Sequence, residues 1–288
     1  MNSVIFQIAV NSIIAGSLYT IIGLGFFLVY RTVKFFDLGY GSLIAFGGYM
    51  MYWLFKILGT HSILSVLLAI IITGLLAVLM NYFVYRPLRA RDSSNMVLLV
   101  ASLGVFTLLQ AVIAILFTSQ FQTINISVLQ KSLNIFGAFI TSTQIIIIAS
   151  AIGIYVFLSL LLRFTRFGKS IRAIGDDEEV AKIVGINTKK VIRNVFFIAG
   201  AIAAVSGLLV GLDTGIEPTM GMSLLLKGVI AVIIGGLGRI HGVVIGAFLL
   251  SILENIAVWY ISGEWKDVVA FSVLIIFLLI RPNGIIEK

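Results

Sequence analysis

The sequence predicts an all-α, polytopic integral membrane bundle of about eight or nine transmembrane helices. Of its 288 residues, 60% are hydrophobic and only 11% are charged. Apolar runs recur from Val4 to Ile280 and are long enough to cross a bilayer, which takes about 20 residues at ~1.5 Å each. These runs are continuous and do not alternate with period two, so helices, and not barrel strands, satisfy the backbone. We expect one transmembrane domain over residues 1–288.

Basic clusters set the orientation of the predicted spans. The net charge is +8, and the basic residues lie in short segments between apolar runs. That placement follows the positive-inside rule and does not indicate nucleic-acid binding. The amino terminus is then outside and the carboxyl terminus cytoplasmic. The clusters placed inside are Arg31/Lys34, Arg86/Arg89/Arg91, the stretch from Arg163 to Arg193, Arg239 and Arg281.

The first five predicted spans alternate in direction. The first run resembles a signal-peptide core, but it is too long and lacks both a preceding basic residue and a small-residue cleavage site. We therefore expect it to remain in the mature chain. A polar external loop, "SQFQTINISVLQKSLN", separates the fourth and fifth spans. The predicted spans are Val4 to Tyr30, Leu43 to Leu58, Ile63 to Tyr85, Met96 to Thr118 and Phe139 to Leu162.

The second half of the chain predicts a broken segment near residues 213–238. A span from Val191 to Gly211 leads outward, and Val243 to Trp259 and Val268 to Ile280 complete the bundle. Between them, "KGVIAVIIGGLG" covers only about 18 Å of a core about 30 Å thick, which predicts a half-helix. Broken backbone at membrane depth is tolerated only where it is buried in protein or lines a cavity.

Residues 163–193 form the most polar stretch and are predicted to be a cytoplasmic loop. We expect Asp176 to cap a short helix from Asp177 to Val184. Glu179 stands where a capping box places its carboxylate, and Gly185 supplies a stop at the other end.

This short helix is predicted to be amphipathic. Glu178 and Lys182 form an i,i+4 pair, while Val180, Ile183 and Val184 share one face. The apolar face could rest on lipid headgroups. The run "DDEE" argues against that alternative, because an anionic inner leaflet repels it, so a protein partner suits the mixed charges better.

The sequence offers no support for covalent catalysis. The chain has no Cys and two His, His61 and His241, which excludes disulfides, thiolate metal sites and an all-His metal site. "FGKS" imitates the end of a phosphate-binding loop, but Arg163 stands where the first glycine is required. We therefore predict a chain that is not an enzyme and binds no metal, driven by an ion gradient or by another subunit.

The loop sequence "IRAIGDDEEVAKIVGIN" resembles the cytoplasmic loop of bacterial branched-chain amino acid ABC transporter permeases, whose pattern is close to R-A-x-x-x-[DN]-x-x-x-A-x-x-x-G-I-[ND]. "GSLYTIIGLGFFLVY", "FFIAGAIAAVSGLL", "KGVIAVIIGGLGRIHGVVIGAFLLSILE" and "RPNGII" are similar to other segments of the family, and the length is similar to its shorter permease type. The residues that the resemblance and the charge pattern assign to coupling are Arg172, Ala173, Asp176, Asp177, Glu178, Ala181, Gly185, Ile186 and Asn187.

The resemblance implies a role and a set of partners. The loop would contact a separate ATP-binding cassette subunit, which carries ATP and Mg, and this chain would bind no cofactor itself. Two permease chains, usually a heterodimer, would form the pathway in the bacterial inner membrane, and an extracytoplasmic binding protein would deliver the solute. The family's "N-F-A-H-G-E" reads "DLGYGS" here and its "G-S-x-P-G" reads "GRIHG". The solute is therefore expected to be a branched-chain or related amino acid, with urea, short amides or a sugar as alternatives.

Polar residues within the apolar runs are candidates for the translocation pathway. Glu254 lies inside a span where a carboxylate is costly, so we expect it to be paired or to face a cavity. The predicted break could offer unwound backbone to a solute. A structural hydrogen bond is the alternative for Glu254 and for Asn11. Asp37 is interpreted as an inner-surface charge. The pathway candidates are Asn11, Pro218, Gly221, Lys227 and Glu254.

Glycines at four-residue spacing, Gly238, Gly242 and Gly246, predict a smooth helix face for close packing. An ion-driven secondary transporter is the main competing function, but it would need paired intramembrane acids, and the sequence suggests only Glu254. A structural or receptor-like membrane protein is disfavoured by the broken helices and the polar loop.

Overall fold

The computed structural model describes residues 2–124, 132–135, 138–281 and 284–285. They are mainly helical, with one antiparallel hairpin whose strands are β1 (Ser132–Ile135) and β2 (Ala138–Thr141). Short π-helical segments, Trp53–Ile57 and Asn81–Tyr85, continue α2 and α3. The helices are α1 (Asn2–Val33), α2 (Gly39–Tyr52), α3 (Ser62–Met80), α4 (Arg86–Ala90), α5 (Asn95–Phe117), α6 (Ser142–Phe164), α7 (Arg166–Asp176), α8 (Glu178–Ile183), α9 (Thr188–Asp213), α10 (Met220–Gly235), α11 (Ile240–Tyr260) and α12 (Lys266–Ile280).

Length and composition confirm the predicted polytopic helical bundle. Six helical stretches in the described part of the chain are long and apolar enough to cross a membrane: α1, α3 with its extension to Ala90, α5, α6, α9 and α11. The apolar helices α2, α10 and α12 are shorter, with 14, 16 and 15 residues. The described residues thus contain six helical stretches that can cross a membrane by length and composition, and the predicted number of eight or nine crossings stays a prediction.

Several predicted boundaries need correction. The predicted half-helix is the longer helix α10, because "MGMSLLL" joins it; at about 24 Å it is still shorter than a membrane core of about 30 Å. Between α9 and α11 the helical backbone is interrupted at residues 214–219 and 236–239. Residues 138–141 pair as β2 before α6 begins, and "RPLRA", between the third and fourth predicted spans, forms helix α4. Residues 125–131 of the predicted external loop and parts of the terminal "RPNGIIEK" lie outside the described residues.

Contacts within the chain define two compact units. The first unit comprises Met1–Phe27, Asn125–Tyr155 and Leu226–Lys288, and the second comprises Leu28–Ile124 and Val156–Leu225. The single domain over 1–288 stays a prediction. The core of the first unit includes the buried residues Tyr19, Ile230, Ala231, Ile234, Ala247, Leu250 and Ala270.

The second unit is built around α9, whose small residues let neighbouring helices approach closely. A Cβ added to Gly207 would collide with the carbonyl oxygen of Ile44 on α2. A Cβ added to Gly200 would lie 2.6 Å from the Cβ of Ala77 on α3. The sequence "GAIAAVSG" therefore fixes the spacing of α2 and α3 in this unit.

Candidate functional site

Helix α7 begins the predicted coupling loop and packs against the end of α1. The backbone of Gly175 lies so close to the carbonyl oxygen of Arg31 that a side chain there would collide with it. The Nζ atom of Lys34 donates to the carbonyl oxygen of Asp176 at 3.1 Å. "FGKS" lies within this helix, so it does not form a phosphate-binding loop. The buried side of α7 consists of Gly168, Ile171 and Ile174.

The cap of α8 is Asp177, and the prediction of Asp176 is wrong by one residue. Oδ1 of Asp177 accepts hydrogen bonds from the backbone N–H groups of Glu179, at 2.8 Å, and Val180, at 3.1 Å. Asp176 is the last residue of α7, so only one extended residue remains between the two helices. Glu179 is then the second helical residue and not the third, which removes the predicted capping box.

The predicted end of α8 and its ion pair are confirmed. Gly185 has a φ of +85°, and its N–H donates to the carbonyl oxygen of Lys182 at 3.0 Å. The N–H of Ile186 donates to the carbonyl oxygen of Ala181 at 3.0 Å, which completes a Schellman-type cap. Lys182 and Glu178 are 3.1 Å apart, but both are partly exposed, so this pair contributes below about 1 kcal/mol.

Helix α8 presents an apolar surface to its surroundings. Ala181 is buried, whereas the side chains of Val180, Ile183 and Val184 are each more than half exposed, Ile183 at 83%. We call these three side chains the α8 apolar face. The other predicted coupling residues lie nearby in sequence: Arg172 and Ala173 are half-buried in α7, and Asn187 caps α9 by accepting from the N–H of Lys190 at 3.1 Å.

A second candidate site is a charge cluster in the first unit, formed by Tyr19, Lys227, Glu254, Lys266 and Asp267. The Glu254 side chain is 0% exposed, and Oε2 accepts from the Tyr19 hydroxyl at 2.5 Å. Lys227 Nζ lies 3.9 Å from Oε1 of Glu254, and Lys266 Nζ lies 3.8 Å from Oε2. Lys227 also pairs with Asp267 at 3.0 Å. The expectation that Glu254 is paired is therefore confirmed.

The charge cluster ties together α1, α10, α11 and the start of α12 within the first unit. Its two cations balance its two carboxylates, so the buried charge is compensated. The cluster is open at one end, because the side chain of Asp267 is 61% exposed and that of Lys227 is 14% exposed. Sequence reasoning missed Tyr19, Lys266 and Asp267. The adjacent "KD" at the start of the last apolar run was the available signal for two of them.

The other pathway candidates occupy different local environments. Asn11 is exposed on α1, where its Oδ1 accepts from Gln7 Nε2 at 2.9 Å. Pro218 is buried in the turn before α10. Gly221 is in the first turn of α10, not in unwound backbone, and approaches Gly41 so closely that neither could carry a side chain without displacement. Lys227 is helical, as the predicted half-helix has it, and therefore offers no unwound backbone to a solute.

Two of the three predicted packing glycines lie at a close helix crossing. A side chain on Gly242 or Gly246 would collide with the carbonyl oxygens of Gly235 or Ala231 on α10. Gly238 lies in the turn before α11, so it does not belong to the helix face.

Asp37 is buried, and its interpretation as an inner-surface charge is wrong. Its Oδ1 accepts a hydrogen bond from the Tyr85 hydroxyl at 2.6 Å. Burial raises the pKa of Asp37 to about 6, although this hydrogen bond and the N–H groups of Gly39 and Tyr40 favour the charged form. The carboxylate lies in the connection between α1 and α2. Its hydrogen bond to Tyr85 had no signal in the sequence.

Comparison with known proteins agrees with this architecture. Residues 8–278 match the family described as "Branched-chain amino acid transport system / permease component". The chain belongs to this permease family. The match spans nearly the whole chain, including α7, α8 and the charge cluster.

Two relatives in the permease family match over almost their full lengths. The high-affinity branched-chain amino acid transport system permease protein LivH of Salmonella typhimurium is 32% identical, covering 96% of this chain and 94% of that protein. BraD of Pseudomonas aeruginosa, named in the same way, is 30% identical, covering 98% of this chain and 95% of that protein.

A solved structure shares the fold. PsaBC from Streptococcus pneumoniae in complex with a Fab aligns with a TM-score of 0.55 and 14% identity, covering 96% of this chain and 91% of that chain. The chain is thus a multi-pass membrane permease component and serves transport, not catalysis.

Proposed function

We propose that this permease carries branched-chain or related hydrophobic amino acids into the bacterial cell as one of two permease chains of an ATP-driven importer. The relatives described above, which transport branched-chain amino acids, support the solute class. ATP-binding cassette subunits would bind ATP and Mg and hydrolyse the nucleotide, and an extracytoplasmic binding protein would deliver the solute. This chain would then bind no cofactor, and its partner permease would be a different polypeptide.

The α8 apolar face carries this proposal. Full burial of an exposed aliphatic side chain stabilises a protein by about 1.5–3 kcal/mol. The three exposed side chains of this face lack most of that stabilisation until a partner covers them. A membrane surface is a poor cover, because the acidic residues from Asp176 to Glu179 adjoin this face and an anionic leaflet repels them. A protein groove with complementary charge would cover the apolar face and also compensate the adjoining acidic residues. The coupling residues predicted from the sequence belong to α7, α8 and the turn that leads to α9.

The packing of α7 supplies a mechanical link from this face to the membrane helices. Because Gly175 lies directly on the backbone of Arg31, a displacement of α7 moves the inner end of α1. Lys34 reinforces the same junction through its bond to Asp176. We propose that nucleotide-driven movement of the ATPase subunit enters the permease here.

Among the pathway candidates, Asn11 and Lys227 are the two polar side chains that reach the surface of their unit. A polar side chain exposed to lipid is costly, so Asn11 should face either the second permease chain or the solute. Pro218, Gly221 and Glu254 are enclosed, and we assign them to packing and charge compensation.

The orientation that this mechanism needs is amino terminus outside and carboxyl terminus cytoplasmic. The chain has no Cys, so single-Cys variants can be labelled without background. In whole cells, Glu217→Cys should react with an impermeant maleimide, and Glu179→Cys should react only after permeabilisation. The reverse pattern would overturn both the topology and the coupling role of α8.

The function itself is tested by co-purification and by transport in proteoliposomes. Wild-type permease should retain an ATPase subunit, and a purified binding protein loaded with leucine should stimulate ATP hydrolysis and uptake together. The double variant Ile183→Asp/Val184→Asp should lose the ATPase subunit and the stimulation, while Ile183→Leu, which keeps the face apolar, should retain both. Uptake that is coupled to hydrolysis in the aspartate variant would contradict the assignment. Uptake by the wild-type permease without any ATPase would indicate an ion-driven transporter.

A further inference from the structure

A basic pocket lies in the second unit where the end of α3 meets the start of α9. Its volume is about 310 Å³. Apolar and amide side chains form part of its wall, and four cations surround it. The lining residues are Val78, Asn81, Tyr82, Arg86, Asn187, Lys189, Lys190 and Arg193.

The pocket is built for an anion. None of its lining residues is acidic, and within the described part of the chain none of the four cations forms a salt bridge. The Arg86 guanidinium lies over the Tyr82 ring at 5.4 Å, which leaves its N–H groups available. The start of α9 adds the positive end of a helix dipole. Four uncompensated cations around one cavity repel each other, so an anionic ligand stabilises the arrangement.

The surroundings of the pocket indicate an anion with hydrocarbon chains attached. Along α3 and its π-helical extension, exposed apolar side chains recur every four residues and end at Phe83, which is 69% exposed. A second cavity of about 310 Å³, lined by Tyr82, Phe83, Arg86, Pro87 and Ala90, adjoins this stripe and shares two residues with the basic pocket. Exposed Tyr and Phe beside cations are typical of a membrane interface. The stripe consists of Leu67, Ile71, Leu75, Leu79 and Phe83.

We propose that the basic pocket binds the phosphate headgroup of an anionic phospholipid of the cytoplasmic leaflet, with the acyl chains lying along the α3 stripe. Basic pockets between transmembrane helices on the cytoplasmic side are a known means of holding anionic lipids. The location of the pocket at the inner surface follows from the proposed topology. A protein partner would explain the cations, but it would not explain an apolar stripe that continues along a membrane helix.

Native mass spectrometry of the purified permease measures this binding directly. With phosphatidylglycerol or phosphatidylcholine at equal concentration, the wild type should retain phosphatidylglycerol preferentially. The variant Arg86→Gln/Lys190→Gln/Arg193→Gln should bind it at least about tenfold more weakly, since each cation near a membrane surface contributes several-fold. The matched control Arg163→Gln/Arg166→Gln/Lys169→Gln loses three exposed cations outside the pocket and should bind it as the wild type does. Inorganic phosphate alone should compete poorly, because it lacks the contacts of the acyl chains.

A second variant separates the pocket from general surface charge and from folding. Val78→Trp fills the cavity and keeps every cation, so it should weaken phosphatidylglycerol binding while thermal unfolding stays close to the wild type. The proposal is overturned if the two charge triples lose binding equally, if phosphatidylcholine binds as well as phosphatidylglycerol, or if millimolar phosphate displaces the lipid. It is also overturned if a photo-crosslinker at Lys190 captures the ATPase subunit and not lipid.

Discussion

Replacing Glu254 with alanine tests the charge cluster most directly. The change removes a fully buried carboxylate from between Tyr19, Lys227 and Lys266. It leaves the cations in a partly desolvated site with one anion, Asp267, still bonded to Lys227 at 3.0 Å. The stability of the first unit should therefore fall.

The expected size of the effect follows from the geometry. Removing one partner of a buried ion pair costs about 3–5 kcal/mol, and a hydrogen bond to a charged group contributes about 1.5–3 kcal/mol of that. Because Lys227 keeps Asp267 and the Lys266 side chain is one-third exposed, we expect the lower end, about 3 kcal/mol. For a chain of this size that corresponds to a fall in melting temperature of about 5 °C. Glu254→Gln keeps an acceptor for Tyr19 and should lose about half as much.

The assay is thermal unfolding of the purified full-length permease in detergent, followed as the fraction that remains monodisperse. Glu264→Ala removes an exposed carboxylate in the turn before α12 and serves as the matched control, with a change below about 0.5 kcal/mol. Combining Glu254→Gln with Lys227→Met should cost less than the sum of the two single changes, because the second change removes a charge that the first left unpaired. If Glu254→Ala unfolds at the same temperature as Glu264→Ala, the carboxylate does not hold these helices together and the reasoning fails.

Three further changes test other parts of the fold. Gly246→Leu would force a side chain into the carbonyl oxygen of Ala231, so the yield of folded permease should collapse, whereas Ile245→Leu on the exposed side of α11 should leave it unchanged. Burial raises the pKa of Asp37 from 3.8 to about 6, so the folded chain keeps this proton longer than the unfolded chain and stability falls as pH rises across that interval. Asp37→Asn should remove that decline from melting curves recorded between pH 4 and 8, and an unchanged slope would refute the buried position of the carboxyl group. Asp177→Ala removes the α8 cap, at a cost of about 0.5–2 kcal/mol. It should speed amide hydrogen exchange in α8 with little change in the melting temperature of the whole permease. The control Glu179→Ala removes a side chain that caps no helix and should leave the exchange unaltered.

The sequence was sufficient for the helical architecture, because long apolar runs and basic clusters depend on local composition. The predicted class, most span positions and the Gly185 stop agree with the structure. The sequence-based errors arose where the local sequence is compatible with two structures. Both Asp176 and Asp177 can cap a helix, and in the structure α7, which packs on Arg31 at Gly175, extends through Asp176.

Long-range partners were beyond local reasoning. Glu254 was recognised because a carboxylate is conspicuous in an apolar span, but its hydrogen-bond partner, Tyr19, is 235 positions away. Asp37 lies in a short connection that reads as surface, and only the fold brings Tyr85 to it. The basic pocket was likewise invisible, since Arg86 and Arg193 belong to clusters that the positive-inside rule already explained.

The exposed hydrocarbon of α8 has a consequence for biogenesis. Under the proposed function, a permease synthesised ahead of its ATPase would expose three aliphatic side chains to the cytosol. They belong to a helix of only six residues, held mainly by its cap and by Ala181. Chaperones and proteases bind such features, so unassembled chains would be degraded while docked ones survive. The same six residues would thereby match the amount of permease in the cell to the amount of ATPase subunit.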